Sequence, residues 1–153
     1  MATQVCPITG LKNILLATDG SVYSEAAMRD AINLAKACST RLYVLSVVEM
    51  NPEYEALAPK IVEKAEEDTR QLLEDVLNCV KKEGIECETV VHRGEDPAHF
   101  IVDDAKRLKI DMIIMGKHGK RKGLKKLLLG SVTAKVLGHA PCKVLVVPVN
   151  TTG

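Results

Sequence analysis

The sequence predicts an α/β domain built on a parallel sheet with helices on both faces. Asn13 to Ala17 (NILLA) reads as a buried strand, and Ile113 to Met115 ends a short, continuous apolar run of the kind buried on both faces. Between such runs stand segments whose apolar residues recur at helical spacing. The two kinds alternate from end to end, and no internal repeat or low-complexity tract interrupts them. The 153 residues are therefore read as one domain, 1–153, with an irregular lead-in over 1–11.

After the first strand comes a polar turn, Thr18-Asp19-Gly20-Ser21. Ala27, Ala31, Leu34, Ala35 and Cys38 then mark an amphipathic helix, and Arg41 to Val48 (RLYVLSVV) is a β-branched, aromatic second strand. Pro52 and Pro59 bracket a connector. A long helix follows, with Ile61, Val62, Ala65, Thr69, Leu72, Leu73, Val76, Leu77 and Val80 in one stripe and an acidic opposite face, read as solvated. Gly84 is its stop. Glu86 to Val91 alternates polar and apolar residues, which predicts an edge strand with one wet side. Asp96-Pro97 supplies an N-cap and a first-position proline for a helix carrying Ala98, Ile101, Ala105 and Leu108. The fourth strand ends at Met115. Ser131 is expected to cap a helix through Val132, Ala134 and Leu137, and Val144 to Val147 is the fifth strand.

Hydrophobic residues make up 46% and charged residues 27% of the chain, ordinary for a globular domain with its own core. The net charge of +1 argues against a general nucleic-acid binder, and 3% aromatic residues supply few stacking platforms for single strands. That balance hides an asymmetry. Between Lys117 and Lys126 lie six Lys or Arg and no acid, so the remainder carries 15 cations against 20 acids. The five cysteines, Cys6, Cys38, Cys79, Cys87 and Cys142, have no C-x-x-C spacing. They are expected to be reduced thiols, with Cys38, Cys79 and Cys142 as small buried hydrophobes. No apolar run of 18 residues is present, and the amino terminus lacks a signal-like pattern. The expectation is a cytoplasmic protein without membrane contact.

The chemistry concentrates where strands end. Ligands of open α/β sheets bind beyond the carboxyl ends of strands, where the winding reverses. Two polar glycine turns sit at such ends: the one at Asp19, and the stretch from Gly116 to Ser131. On their own, Asp19 and Ser21 read first as a turn that caps the next helix. The alternative is an Asp19 that accepts from a ribose hydroxyl or helps hold Mg²⁺ between phosphates. In the second turn, Gly116 and Gly119 let the backbone approach a ligand, and Gly130-Ser131 opens a helix whose N–H groups stabilise an anion. The spacing is neither G-x-G-x-x-G nor G-x-x-x-x-G-K-[ST]. His118 lies within this loop and is read as an exposed residue; His92, His99 and His139 are read as structural.

The chain resembles the universal stress protein family over almost its whole length, most clearly in the segments NILLATDGS, MGKHG, GLKKLLLGSVTAKVL and HAPCKVLVVP. The resemblance implies an open five-stranded parallel sheet in the order 3-2-1-4-5, Rossmann-like and similar to the adenine nucleotide alpha hydrolases. It also implies a homodimer paired through the last strand, Lys143 to Val149. One branch of the family binds ATP through a G-x2-G-x9-G-[ST] pattern. Carried onto this sequence, Thr18 and Asp19 would contact adenine and ribose, with Asp19 also near the metal and Gly20 counted with them among the binding residues. Val47 or Val48 would line the adenine pocket. Met115 and Gly116 would flank the ribose, with His118 in the same loop and Gly119 approaching the phosphates. Gly130, Ser131 and Val132 would hold phosphates. The implied ligands are ATP, ADP or AMP, with Mg²⁺ or Mn²⁺ bridging phosphates.

One departure stands out. Ten residues separate Gly119 from Gly130 where the family has nine, and GLKKLLLGS aligns without a gap, so the extra residue lies among Lys120, Arg121 and Lys122. A surface loop accommodates one more residue at small entropic cost. No general base for water is apparent, so the expectation is a nucleotide-binding stress-response or regulatory protein with at most weak ATP hydrolysis. The alternatives are a slow ATPase acting with a partner and a nucleotide-independent interaction dimer.

Overall fold

A computed structural model of the chain describes residues 5–118 and 129–149. Its elements are β1 (Asn13–Ala17), a 3-10 turn (Val22–Ser24), α1 (Glu25–Cys38), β2 (Arg41–Glu49), α2 (Pro52–Leu57), α3 (Pro59–Lys82), β3 (Cys87–Gly94), α4 (Pro97–Arg107), β4 (Met112–Gly116), α5 (Ser131–His139) and β5 (Lys143–Val147). The five strands form one parallel sheet in the order β3-β2-β1-β4-β5, as expected.

Strand alternation divides the core in two. Ile14 and Leu16 of β1, Leu42 and Val44 of β2, and Met112 and Ile114 of β4 meet Ala27, Ala31 and Ala35 of α1 and Leu73, Val76 and Val80 of α3. On the other face, Leu15, Ala17, Tyr43, Leu45, Ile113 and Met115 meet Ala98, Ile101 and Ala105 of α4 and Val136 of α5. The alanines of α1 let that helix lie close to the sheet. Ile14, Leu15, Leu16, Ile113 and Ile114 have no solvent exposure. Each such side chain contributes about 1.5–3 kcal/mol by burial, so the central pair β1 and β4 anchors the domain.

A carboxylate fastens this pair at its start. Asp111 Oδ2 accepts from Lys12 N and Asn13 N, both at 2.9 Å, and Asp111 N donates to Asn13 O at 2.9 Å. Asp111→Ala leaves two amides without their acceptor and is expected to cost about 1–2 kcal/mol, measured by urea unfolding.

Several expectations change. The five cysteines are not all thiols: Cys6 and Cys38 form a disulfide. The lead-in packs Cys6 and Ile8 against the α1 face of the core, which brings Cys6 to the last residue of α1. Cys79 is exposed rather than buried, while burial pushes the half-buried Cys87 thiol up to about 11. The connector between Pro52 and Pro59 holds the short α2, capped by Asn51 Oδ1, which accepts from Tyr54 N at 2.7 Å. Ile61 is 58% exposed and leaves the stripe of α3.

Ser131 is the first residue of α5, not its cap; Gly130, extended at ψ 150°, stands at the N-cap. The inner face of α5 is Thr133 and Val136, whereas Ala134 and Leu137 face outward. Asp96 does precede α4, but its side chain makes no capping hydrogen bond. The structural reading of His92 agrees with its surroundings. Its Nε2 lies 2.5 Å from the buried Asp104 Oδ2, and its ring stacks on Phe100 at 4.6 Å.

Candidate nucleotide site at the switch point

The winding reverses between β1 and β4. From β1 the chain moves outward through β2 to β3, then returns to the other side of β1 for β4 and β5. The register pairs Ala17 with Met115. The residues that leave these two strands, Thr18 and Gly116, therefore emerge side by side at one carboxyl rim, a strand spacing of about 4.8 Å apart. Topology has brought together two turns that lie almost a hundred residues apart in the chain.

The first turn is fixed by its own hydroxyls. Thr18 N donates to Leu45 O at 3.0 Å, which continues the sheet for one more residue. Asp19 Oδ1 accepts from Ser21 N at 2.9 Å and Ser21 Oγ at 2.6 Å, an Asx turn that orients the carboxylate. Gly20 adopts φ +76°, and its N–H donates to Thr18 Oγ1 at 3.2 Å. Ser24 Oγ donates its single hydrogen to Ser21 O at 2.9 Å, so the 2.9 Å contact between Thr18 and Ser24 has the threonine hydroxyl as donor. Every hydroxyl direction in the turn follows from this count.

The second turn is held by the backbone. Gly116 is buried, and a Cβ there would come within 2.7 Å of Tyr23 O. Its carbonyl accepts from the buried Thr133 Oγ1 at 3.0 Å, which ties β4 to α5. Lys117 N donates to Val147 O at 3.0 Å, and Lys117 O accepts from Gly130 N at 2.9 Å. Gly130 and Ser131 thus stand directly beside the end of β4, with the first turn of α5 opening at the rim. An N-cap glycine has no side-chain acceptor to offer the amides of that turn.

Of the residues singled out from the sequence, Thr18, Asp19, Gly20, Met115, Gly116, Gly130, Ser131 and Val132 gather at the β1–β4 rim. Val132 is half-buried against the α4–α5 face of the core. Val47 and Val48 end β2 on opposite faces of the sheet, Val47 half-buried toward the α4 side and Val48 buried. His118 is half-buried rather than exposed. Gly119, and Lys120, Arg121 and Lys122 with it, lie outside the described residues. Sequence reasoning missed Ser24, Tyr23 and Thr133, which support the two turns. Thr133 acts on Gly116 from another element and Tyr23 through its own carbonyl, so no local signal marks them, whereas Ser24 bonds within its own turn.

A depression of 440 Å³ lies farther along the same rim, where Met50, Arg93 and Phe100 meet at the ends of β2 and β3. Arg93 bridges Glu55 of α2 and Glu66 of α3 there. None of the residues proposed from the sequence for the nucleotide lines it. Among the described residues no group of three or more His, Cys, Asp or Glu is placed to hold a metal ion, and no helix is long and apolar enough to cross a membrane.

This architecture is that of a doubly wound α/β domain of the adenine nucleotide alpha hydrolase-like kind, with its candidate site at the switch point. The chain belongs to the universal stress protein family, whose family model matches residues 10–148. It is 37% identical over 140 residues to a universal stress protein of Methanocaldococcus jannaschii, covering 89% of this chain and 81% of that one. Among solved structures it is similar to universal stress protein UspA from Lactobacillus plantarum, with TM-score 0.79, 27% identity and coverage of 89% and 97%. It is also similar to the universal stress protein from Archaeoglobus fulgidus in complex with dAMP, with TM-score 0.62, 25% identity and coverage of 88% and 96%. That relative holds an adenine nucleotide.

Proposed function

We propose that this chain binds ATP, or ADP or AMP, across the β1–β4 rim and acts as a nucleotide-responsive regulatory protein rather than an efficient enzyme. The observation that supports the reading is that the register sets the residues leaving β1, with the Asp19 turn, beside those leaving β4, where Gly130 at the start of α5 is bonded to Lys117. Thr18 and Asp19 meet the ribose and base, with Val47 flanking the base. The N–H groups of Gly130, Ser131 and Val132 and the Ser131 hydroxyl receive phosphate oxygens, favoured by the helix dipole.

A divalent ion fits this donor set in one way. Asp19 would offer it a carboxylate, with phosphate oxygens and water supplying the rest, the manner in which Mg²⁺ is commonly held. Bound there, the ion would neutralise phosphate charge. The chain's own part is to orient Asp19 through Ser21 and to keep Gly130 beside Lys117.

Isothermal titration of the protein with ATP and Mg²⁺ is expected to give a Kd in about the micromolar range, weakened at least tenfold in a Gly130→Val, Ser131→Ala double variant. Absence of heat with ATP, ADP and AMP ends the reading. Phosphate release equal in the native and double-variant proteins would remove the slow-ATPase alternative.

Dimerisation through the last strand has its own support. β5 closes one edge of the sheet, and along it Val144 and Val146 are only half-buried while Leu145 is 37% exposed. An uncovered apolar edge strand favours pairing with another chain. Light scattering should give twice the mass of the 16.7 kDa chain, and a Leu145→Lys variant should shift it toward one.

A further inference from the structure

The opposite, amino-terminal rim of the sheet holds a second cavity, of 310 Å³, that the nucleotide reading does not use. Its size is at the low end of small-molecule sites, about 300–1,000 Å³. Lys36 and Ser39 at the end of α1, Thr40 and Arg41 entering β2, and Glu83 and Glu86 between α3 and β3 line it.

Thr40 is the unusual member. It is 5% exposed, and its N–H is satisfied by Ala35 O at 3.1 Å, yet its hydroxyl is buried with no hydrogen-bond partner among the described residues. Buried hydroxyls are almost always paired, because leaving one unpaired forfeits its hydration without return. Two ion pairs edge the cavity: Lys36 Nζ to Glu83 Oε2 at 2.7 Å and Arg41 Nε to Glu86 Oε2 at 3.1 Å. Their side chains are 45–75% exposed, so each pair is weak and exchanges partners readily. The rim thus offers two cations and two carboxylates in equal number, and α1 and α3 both end here, which adds a negative dipole end from each.

This pattern suits neither a simple anion, which Glu83 and Glu86 oppose, nor a simple cation, which Lys36 and Arg41 oppose. We propose that the cavity binds a small zwitterion of the α-amino acid type. Its carboxylate takes Lys36 and Arg41 and accepts the Thr40 hydroxyl, while its ammonium meets Glu83, Glu86 and the carboxyl ends of the two helices. The ligand reaches the hydroxyl by parting the two ion pairs.

The test is an amide NMR titration of the full chain with glycine, L-alanine and L-serine. At least one is expected to give saturable shifts at Ser39, Thr40, Arg41 and Glu83 to Glu86. Thr40→Val, which keeps the shape and removes the hydroxyl, should leave Tm unchanged or raised while weakening binding about tenfold or more. Acetate and methylammonium, each carrying one of the two charges, should bind about tenfold more weakly than the amino acid. The proposal is overturned by absence of saturable shifts with all three amino acids, by undiminished binding to the Thr40→Val variant, or by acetate binding as well as the amino acid. A lowered Tm for Thr40→Val also overturns it, since the hydroxyl would then be serving the fold, for example through a trapped water.

Discussion

Replacing Cys6 and Cys38 with serine is expected to lower the stability of the oxidised protein by about 3–4 kcal/mol and its Tm by roughly 10 °C. The bond joins residues 32 apart in sequence, and closing a loop of that size removes much freedom from the unfolded chain. It also fastens the lead-in, whose Ile8 and Leu11 pack on the α1 face of the core. Differential scanning calorimetry with and without a dithiol reductant measures the effect directly. The reductant should reproduce the serine variant, and it should have no effect on that variant. If the native protein melts at the same temperature in both conditions, the disulfide does not stabilise the fold.

Gly116→Ala is expected to cost about 2–3 kcal/mol by overpacking and to weaken nucleotide binding tenfold or more. The added Cβ would lie 2.7 Å from Tyr23 O, a backbone atom that cannot swing aside as a side chain does. Either the end of β4 or the 3-10 turn after Asp19 must move, and both border the candidate site. Gly138→Ala is the control. A Cβ there meets nothing within 4 Å, and alanine in a helix gains about 0.5–1 kcal/mol over glycine. Denaturant midpoints that move in opposite directions for the two variants would establish the steric origin. Equal shifts would refute it.

Much of the architecture was legible because the strands announce themselves. Ile14 to Ala17 and the run ending at Met115 are apolar throughout since both sides of each strand are covered. The misread details share a different cause, namely contacts made at long range. Thr133 turns inward because its hydroxyl pairs with Gly116 O, which shifts the inner face of α5 away from Ala134 and Leu137. Cys6 finds Cys38 only once the lead-in has folded back, and no spacing rule anticipates that. The short α2 is an exception. Its signal, Asn51 before Pro52, was present in the sequence, but the two prolines read as the limits of a loop.

For the site, residue types were legible and their assembly was not. Thr18, Asp19, Gly116 and Gly130 are glycine-turn residues at strand ends, and that much is local. Their meeting depends on β1 lying next to β4, a neighbour relation that the sequence showed only through its resemblance to a family. The supports at Tyr23 and Thr133 had no local mark, since both act on Gly116 from elsewhere in the chain.

The bond from Gly130 N to Lys117 O has a consequence for how such a protein can change over generations. It works as a clasp: two points on the chain are pinned to each other and, through Val147 and Thr133, to the scaffold. Because the bonds at Lys117 run between main-chain atoms, its side chain can be exchanged from one generation to the next without releasing the start of α5.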